Sequence, residues 1–174
     1  MSASRVFGAA VAVVGAASFC AALGTASLVA GSPGIQNGAT QSGVPPSMTA
    51  LYQQAALACP GLPWTVLAAI GTVESSNGTS NLPGVHSGAN YAGAEGPMQF
   101  EPPTFAEYDQ PIPPGGVDPP SPYDPVDAVY AASRLLCANG AANGADIPGA
   151  VFAYNHSQQY VDEVLSLART YSQG

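Results

Sequence analysis

Glu74 is the first charged side chain after Arg5; the 68 residues between them hold no Asp, Glu, Lys or Arg. It closes an apolar stretch, Ala68-Ala-Ile-Gly-Thr-Val-Glu-Ser-Ser-Asn-Gly78, that reads as a helix stopped by Asn-Gly. Leu67, Ile70 and Glu74 fall at i, i+3 and i+7, so they share one helical face. That face is apolar and is expected to meet the core. Burial and the helix macrodipole both oppose an anion there, and both push the carboxyl's pKa upward. A carboxylic acid that stays protonated near neutral pH is what a general acid needs, notably for protonating a glycosidic oxygen. Spacing alone fits an exposed acid at a frayed helix end equally well.

The elements around it are helical. Ser47 is placed to cap a first helix that ends by Pro60, and Pro63 suits the first turn of the helix carrying Glu74. Asp124-Pro-Val-Asp127 predicts an N-cap, a proline at the first helical position and an acid in the first turn. That helix runs to Cys137 and stops at Asn139-Gly140. Asp146-Ile-Pro148 opens a short helix ending near Tyr154-Asn155. Ser157 or His156 leads into a last helix through Val161, Val164, Leu165 and Ala168. Residues 76–124 are Gly/Pro-rich, with one helical turn expected at 103–108. Alternating strands are absent. The expectation is a mainly α domain with a long irregular insertion, the kind of segment that carries binding function.

Composition limits the partners. Charged residues are 8% of the chain, with three Arg and no Lys against eleven acids, a net charge of −8. Phosphate neutralisation needs clustered Lys and Arg, so no nucleic-acid partner is expected. Residues 6–30 are uncharged and rich in Ala, Val and Gly behind Arg5, the pattern of an export signal or a single membrane anchor. Gly24-Thr25-Ala26 is an acceptable cleavage site, and the sequence before Cys20 does not suit lipidation. Either way the C-terminal mass lies outside the cytoplasm, and the membrane is met only through this segment. Residues 31–46 have linker composition, and the folded domain is expected over 47–174. Cys59 and Cys137 are then an even pair in an oxidising compartment, which favours a disulfide over two buried thiols. A monomer is expected.

Three motifs carry a resemblance: Glu74-Ser75, then Gly93-Ala-Glu-Gly-Pro-Met-Gln-Phe100, then Ala153-Tyr-Asn155. In this order they resemble the lytic transglycosylase family, whose fold is lysozyme-like and related to goose-type lysozymes. Gly84-Val-His-Ser-Gly-Ala-Asn90, Tyr154-Asn-His-Ser and Tyr160-Val-Asp-Glu-Val-Leu165 resemble an exported actinobacterial branch of it. The resemblance spans roughly residues 48–168. It implies Glu74 as catalytic acid and base, acting on peptidoglycan glycan strands without cofactor or metal. It implies Ser75 holding the sugar or the carboxyl, and Gly96, Met98, Gln99 and Phe100 lining the cleft with the Gln99 amide on substrate. It implies Tyr154 hydrogen-bonded to the Glu74 carboxyl, with Asn155 beside it. Read without the family, Met98 and Phe100 fit ordinary core positions, and Tyr154-Asn155 fits a capped helix end.

A two-carboxylate glycosidase needs a partner acid. The candidates are Glu95, Glu101, Glu107, Asp109, Asp118, Asp124, Asp127, Asp146, Asp162 and Glu163. Asp124 and Asp127 are explained by capping, Asp162 and Glu163 by a solvated helix face, and Glu95 sits at a position the family pattern does not fix. By the resemblance none is required, because the C6 hydroxyl of N-acetylmuramic acid acts as the nucleophile and a 1,6-anhydro sugar forms. A hydrolytic lysozyme on the same fold and a non-catalytic wall-binding module are the alternatives. Residues 108–123 depart from related sequences and offer too few oxygen ligands for calcium. His86 and His156 lie far apart without a metal-ligand pattern and read as polar loop residues. Asn77-Gly-Thr79 and Asn155-His-Ser157 match the glycosylation sequon.

Overall fold

The computed structural model describes residues 43–173, so the leader, Cys20 and most of the linker lie outside it. Six α-helices appear in the order α1 (Pro46–Ala56), α2 (Trp64–Ser75), α3 (Pro102–Tyr108), α4 (Pro125–Leu136), α5 (Ile147–Asn155) and α6 (Gln158–Tyr171). Among the described residues the only β pairing is an isolated antiparallel bridge between Glu95 and Phe100. The mainly α expectation holds.

α1 starts one residue before the expected cap. Pro45 precedes it, Pro46 takes the first turn, and no side chain caps it. Val44, in the segment of linker composition, is fully buried, so packing against the core begins before the first helix. α2 is the central element. Every residue from Thr65 to Gly71 is buried, which is how a helix apolar all round behaves; the sequence pattern had suggested a single buried face. It packs most extensively against α6 and then α1, while α5 packs on α6 and α4.

The C-terminus of α2 is a built stop. Ser76 and Asn77 both take left-handed φ values, 52° and 59°. Their amides return to Thr72 O at 2.9 Å and Gly71 O at 2.8 Å, the pairing that ends many helices with a left-handed residue. Asn77 is buried and its amide is engaged at both ends. Its Oδ1 accepts from Tyr52 Oη at 2.9 Å, and its Nδ2 donates to Thr72 Oγ1 at 3.0 Å. The sequon at Asn77 is therefore closed to a glycan. Gly71 has to be glycine, because a Cβ there would run into the Tyr52 hydroxyl.

Asp124 caps α4 as expected, accepting from Val126 N at 3.0 Å and Asp127 N at 3.1 Å. Asp127 is the first-turn acid the sequence predicts, but it serves the preceding loop and not the helix cap. It is 1% exposed, its Oδ2 accepts from Val117 N at 3.3 Å and Ser121 N at 3.0 Å, and its Oδ1 has no hydrogen-bond partner. Two turns on, Arg134 donates to Tyr108 O at 2.9 Å and Pro111 O at 2.5 Å. One face of α4 thus holds the Pro-rich segment that precedes it.

Cys59 and Cys137 form a disulfide with Cα atoms 5.5 Å apart, joining the end of α1 to the end of α4 across 78 residues. Closing a loop of that length stabilises the fold by roughly 4–5 kcal/mol in the chain-entropy description. Replacing both cysteines by serine should lower the urea midpoint by an amount equivalent to about 2–5 kcal/mol. Coincident unfolding curves would show that the crosslink contributes nothing.

Candidate active site

Glu74 lies in the last turn of α2, half-buried. Its Oε1 accepts a hydrogen bond from Tyr160 Oη at 2.6 Å. Tyr160 sits in the first turn of α6 and is 8% exposed. Its ring stacks on Tyr154 with centroids 6.4 Å apart and planes 3° from parallel. Tyr154 in turn meets Phe100 edge-on at 5.8 Å, and Phe100 meets Phe105 at 5.7 Å.

The carboxyl's expected partner is therefore displaced by one tyrosine. Tyr154 Oη donates to Met98 O at 2.8 Å, and Tyr160 takes the carboxyl. The reason is the packing of α2 along α6, which brings the first turn of α6 against the last turn of α2. Tyr154 is at the end of α5, before the left-handed residue His156 turns the chain. No spacing rule within the sequence links positions 74 and 160. The available signal was a tyrosine on the same apolar face as Val161 and Val164 at the start of an amphipathic helix.

Burial raises the Glu74 carboxyl to about 7, Tyr160's hydrogen bond opposes the rise, and the negative charge of Glu163 adds to it. Glu163 lies one turn after Tyr160 and is exposed. The phenols of Tyr154 and Tyr160 are pushed well above their ordinary range, chiefly by burial and next by the Glu74 charge. Near neutrality Glu74 exchanges a proton while both phenols keep theirs.

The Gly-Pro-Met-Gln-Phe segment forms a tight turn against this cluster. Glu95 N to Phe100 O at 2.8 Å and Phe100 N to Glu95 O at 2.9 Å close its base. Gly96 has φ 77°, and a Cβ on it would strike the Pro122 carbonyl. Met98 and Phe100 are core, 0% and 3% exposed. Gln99 is half-buried in a left-handed conformation, φ 49°. Its Nε2 donates to Gly96 O at 2.7 Å, and its Oε1 accepts from Asn90 Nδ2 at 2.9 Å. Ser75 is buried, donating to Pro97 O at 2.6 Å and accepting from Gly78 N at 2.7 Å. Its hydroxyl fastens the end of α2 to the turn. Asn155 is half-buried at the end of α5. Sequence reasoning missed roles for Tyr160, Glu163 and Asn90.

A sequence model of the family described as transglycosylase SLT domain matches residues 51–173. The chain belongs to that family. The match opens inside α1 and closes just past α6, so it takes in Glu74, the turn, the tyrosine pair and the disulfide. The SLT domain is lysozyme-like and of the lytic transglycosylase type, and it implies peptidoglycan as substrate. No curated protein and no solved structure matches the chain. Outside the cluster, His86 and His156 are exposed, and the His156 ring lies 5.6 Å from that of Phe152. Among the described residues no group of three or more His, Cys, Asp or Glu could hold a metal ion. No helix among them is long and apolar enough to cross a membrane.

Two variants should move the Glu74 titration in opposite directions. Glu163→Gln removes the like charge and should lower the midpoint; Tyr160→Phe removes a donor to the carboxylate and should raise it. Carbon-13 NMR of labelled Glu side chains reads both. A common direction, or no movement in either, would contradict the arrangement.

The same titration predicts stability. Glu74's folded pKa is raised from 4.5 to about 7, so the folded state binds the proton more tightly than the unfolded state. That contribution is fully present below about pH 4.5 and lost as pH rises through 7, by about 3 kcal/mol. Glu74→Gln should therefore unfold at higher urea than wild type at pH 8, with the difference shrinking towards pH 4. A constant difference across that range would contradict the raised pKa.

Proposed function

We propose that this domain is a peptidoglycan lytic transglycosylase. It would cleave the β-1,4 bond between N-acetylmuramic acid and N-acetylglucosamine and release 1,6-anhydro-N-acetylmuramic acid outside the cytoplasm. One observation carries the reading: within an SLT domain, Glu74 has a carboxyl raised to about 7 and held on one oxygen by a buried tyrosine.

With Oε1 held by Tyr160, Oε2 carries the proton. In the first step Glu74 gives that proton to the glycosidic oxygen, the bond from that oxygen to C1 of the muramyl residue breaks, and positive charge develops at C1. The leaving sugar departs with a free hydroxyl. Tyr160's donation then holds the new carboxylate. In the second step Glu74 takes the proton of the C6 hydroxyl while O6 bonds to C1, so the anhydro ring closes and the acid is restored. A pKa near the working pH serves both halves, because donor and acceptor are the same group. The N-acetyl carbonyl of the muramyl residue is positioned by its own chemistry to assist at C1. Gln99, Tyr154 and Asn155 are the proposed substrate-side residues. Ser75, Gly96, Met98 and Phe100 are proposed to act through the shape of the turn.

Glu163 favours a second reading, a hydrolytic muramidase. It is the acid whose charge reaches Glu74, and a second carboxylate is what directs water or stabilises C1 in hydrolases. The products separate the two. Mass spectrometry of digested peptidoglycan should show anhydro-muropeptides at chain ends; reducing-end muropeptides without them would establish the hydrolase. Glu74→Gln should lower the rate of release at least about 100-fold. Undiminished release would mean that Glu74 is not the catalyst.

A further inference from the structure

We propose that Asn90 is a positioning residue that fixes which way the Gln99 amide faces in the cleft. The proposal rests on the reading above that Gln99 contacts the glycan.

The Gln99 amide is clamped at both ends: Asn90 Nδ2 donates to its Oε1 at 2.9 Å, and its Nε2 donates to Gly96 O at 2.7 Å. Turning the amide over would set Oε1 against the Gly96 carbonyl oxygen and Nε2 against the Asn90 amino group, two repulsive pairs. Asn90 cannot turn over to accommodate it. Its Oδ1 accepts from Ala92 N at 2.7 Å and Ala94 N at 3.0 Å, so its amino group has to face Gln99. The polarity of the clamp thus originates in two backbone N–H groups.

The backbone supports the same arrangement. Asn90 N donates to Ala94 O at 3.0 Å, Gly93 N to Asn90 O at 3.0 Å, and Gly96 N to Gly84 O at 2.7 Å. A Cβ on Gly84 would collide with Ala94 O and Asn90 N. From the other side Tyr123 Oη donates to Gly88 O at 2.8 Å. Residues 84–100 therefore form one closed loop in which Asn90 and Gln99 are fixed relative to each other.

A glutamine amide carries two N–H donors and two lone pairs on its oxygen. The clamp uses one of each, leaving one donor and one acceptor in set positions. A substrate hydroxyl or acetamido group then meets a defined polarity, and an unmatched group leaves a clamped amide unpaired, which is how polar sites discriminate.

Asn90→Asp isolates the clamp. The carboxylate still accepts from Ala92 and Ala94, so the loop keeps its bonds, but it has nothing to donate to Gln99. Whichever way the Gln99 amide then faces, one of its two contacts is lost. KM and kcat on soluble uncrosslinked peptidoglycan strands are measured for Asn90→Asp, Gln99→Ala and the double variant, with urea midpoints and the pH profile of kcat. Asn90→Asp should raise KM roughly five- to tenfold, the scale of one lost hydrogen bond. It should leave the pH profile and the urea midpoint close to wild type. Gln99→Ala should raise KM, and adding Asn90→Asp to it should raise KM no further. A KM unchanged by Asn90→Asp while Gln99→Ala raises it, or KM increases that multiply in the double variant, overturns the positioning role. An unchanged KM in Gln99→Ala sinks the glycan contact itself, and the inference with it. Should Asn90→Asp fail to fold, Asn90→Ser takes its place with the same expectations, since a serine hydroxyl still accepts in the turn but does not reach Gln99.

Discussion

The hydrogen bond from Tyr160 to Glu74 is the contact on which the rest of the site depends. It crosses from the first turn of α6 to the last turn of α2, so it exists only when those two helices are packed in one register. A carboxyl removed from water without a partner is costly; with one short donor it is tolerated and its pKa stays close to neutral. A second donor, or a cation, would have carried the pKa back down and left a permanent anion. The single phenol thus leaves the carboxyl able to hold or release its proton near neutral pH.

The irregular segment between α2 and α4 is held in shape from its borders. Ser75 at the end of α2 grips Pro97, Tyr154 at the end of α5 grips Met98, and Asp127 and Arg134 on α4 hold Val117, Ser121, Tyr108 and Pro111. Each bond runs from a helical side chain to a backbone atom of this segment, in its loops or, at Tyr108, at the end of α3. A loop without a strand ladder must satisfy its backbone groups in some other way, and here side chains on rigid helices do it. The consequence for the site is that Gln99 and Glu74, on different segments, are positioned by the same framework.

Much of this was legible in the sequence. The apolar run ending at Glu74, the Asp124 and Ser157 caps, the proline starts of α4 and α5 and the paired cysteines each act within a few residues or by parity, and each predicts what is found, while Pro63 stands just before α2 and not in its first turn. The failures share a cause. Tyr160 in place of Tyr154 depends on how α2 lies along α6, 86 positions away in sequence. Asp127 is a first-turn acid by spacing, yet the loop folding back over it turns it into a buried acceptor. By the family resemblance Ser75 was expected to hold the sugar or the carboxyl, but its hydroxyl is drawn inward to Pro97 O. Local chemistry gave the residue types, and tertiary packing decided which atoms meet.

The poverty of charge across the chain acquires a meaning from this site. Of the described cations, Arg134 is spent on two backbone carbonyls and Arg169 lies exposed in the last turn of α6. Arg169 is nine residues beyond Tyr160, about 13 Å along the helix. A lysine or arginine within ~4–6 Å of Glu74 would stabilise the carboxylate and lower its pKa by about 1–3 units, leaving it ionised near neutral pH. What surrounds Glu74 instead is two neutral phenols, an apolar helix and one exposed like charge, and each of these except the Tyr160 hydrogen bond favours the protonated form. Tuning by burial and a like charge has a cost that ion pairing would not impose, since a domain that keeps an acid protonated is weakest at the alkaline pH where that acid is finally forced to ionise.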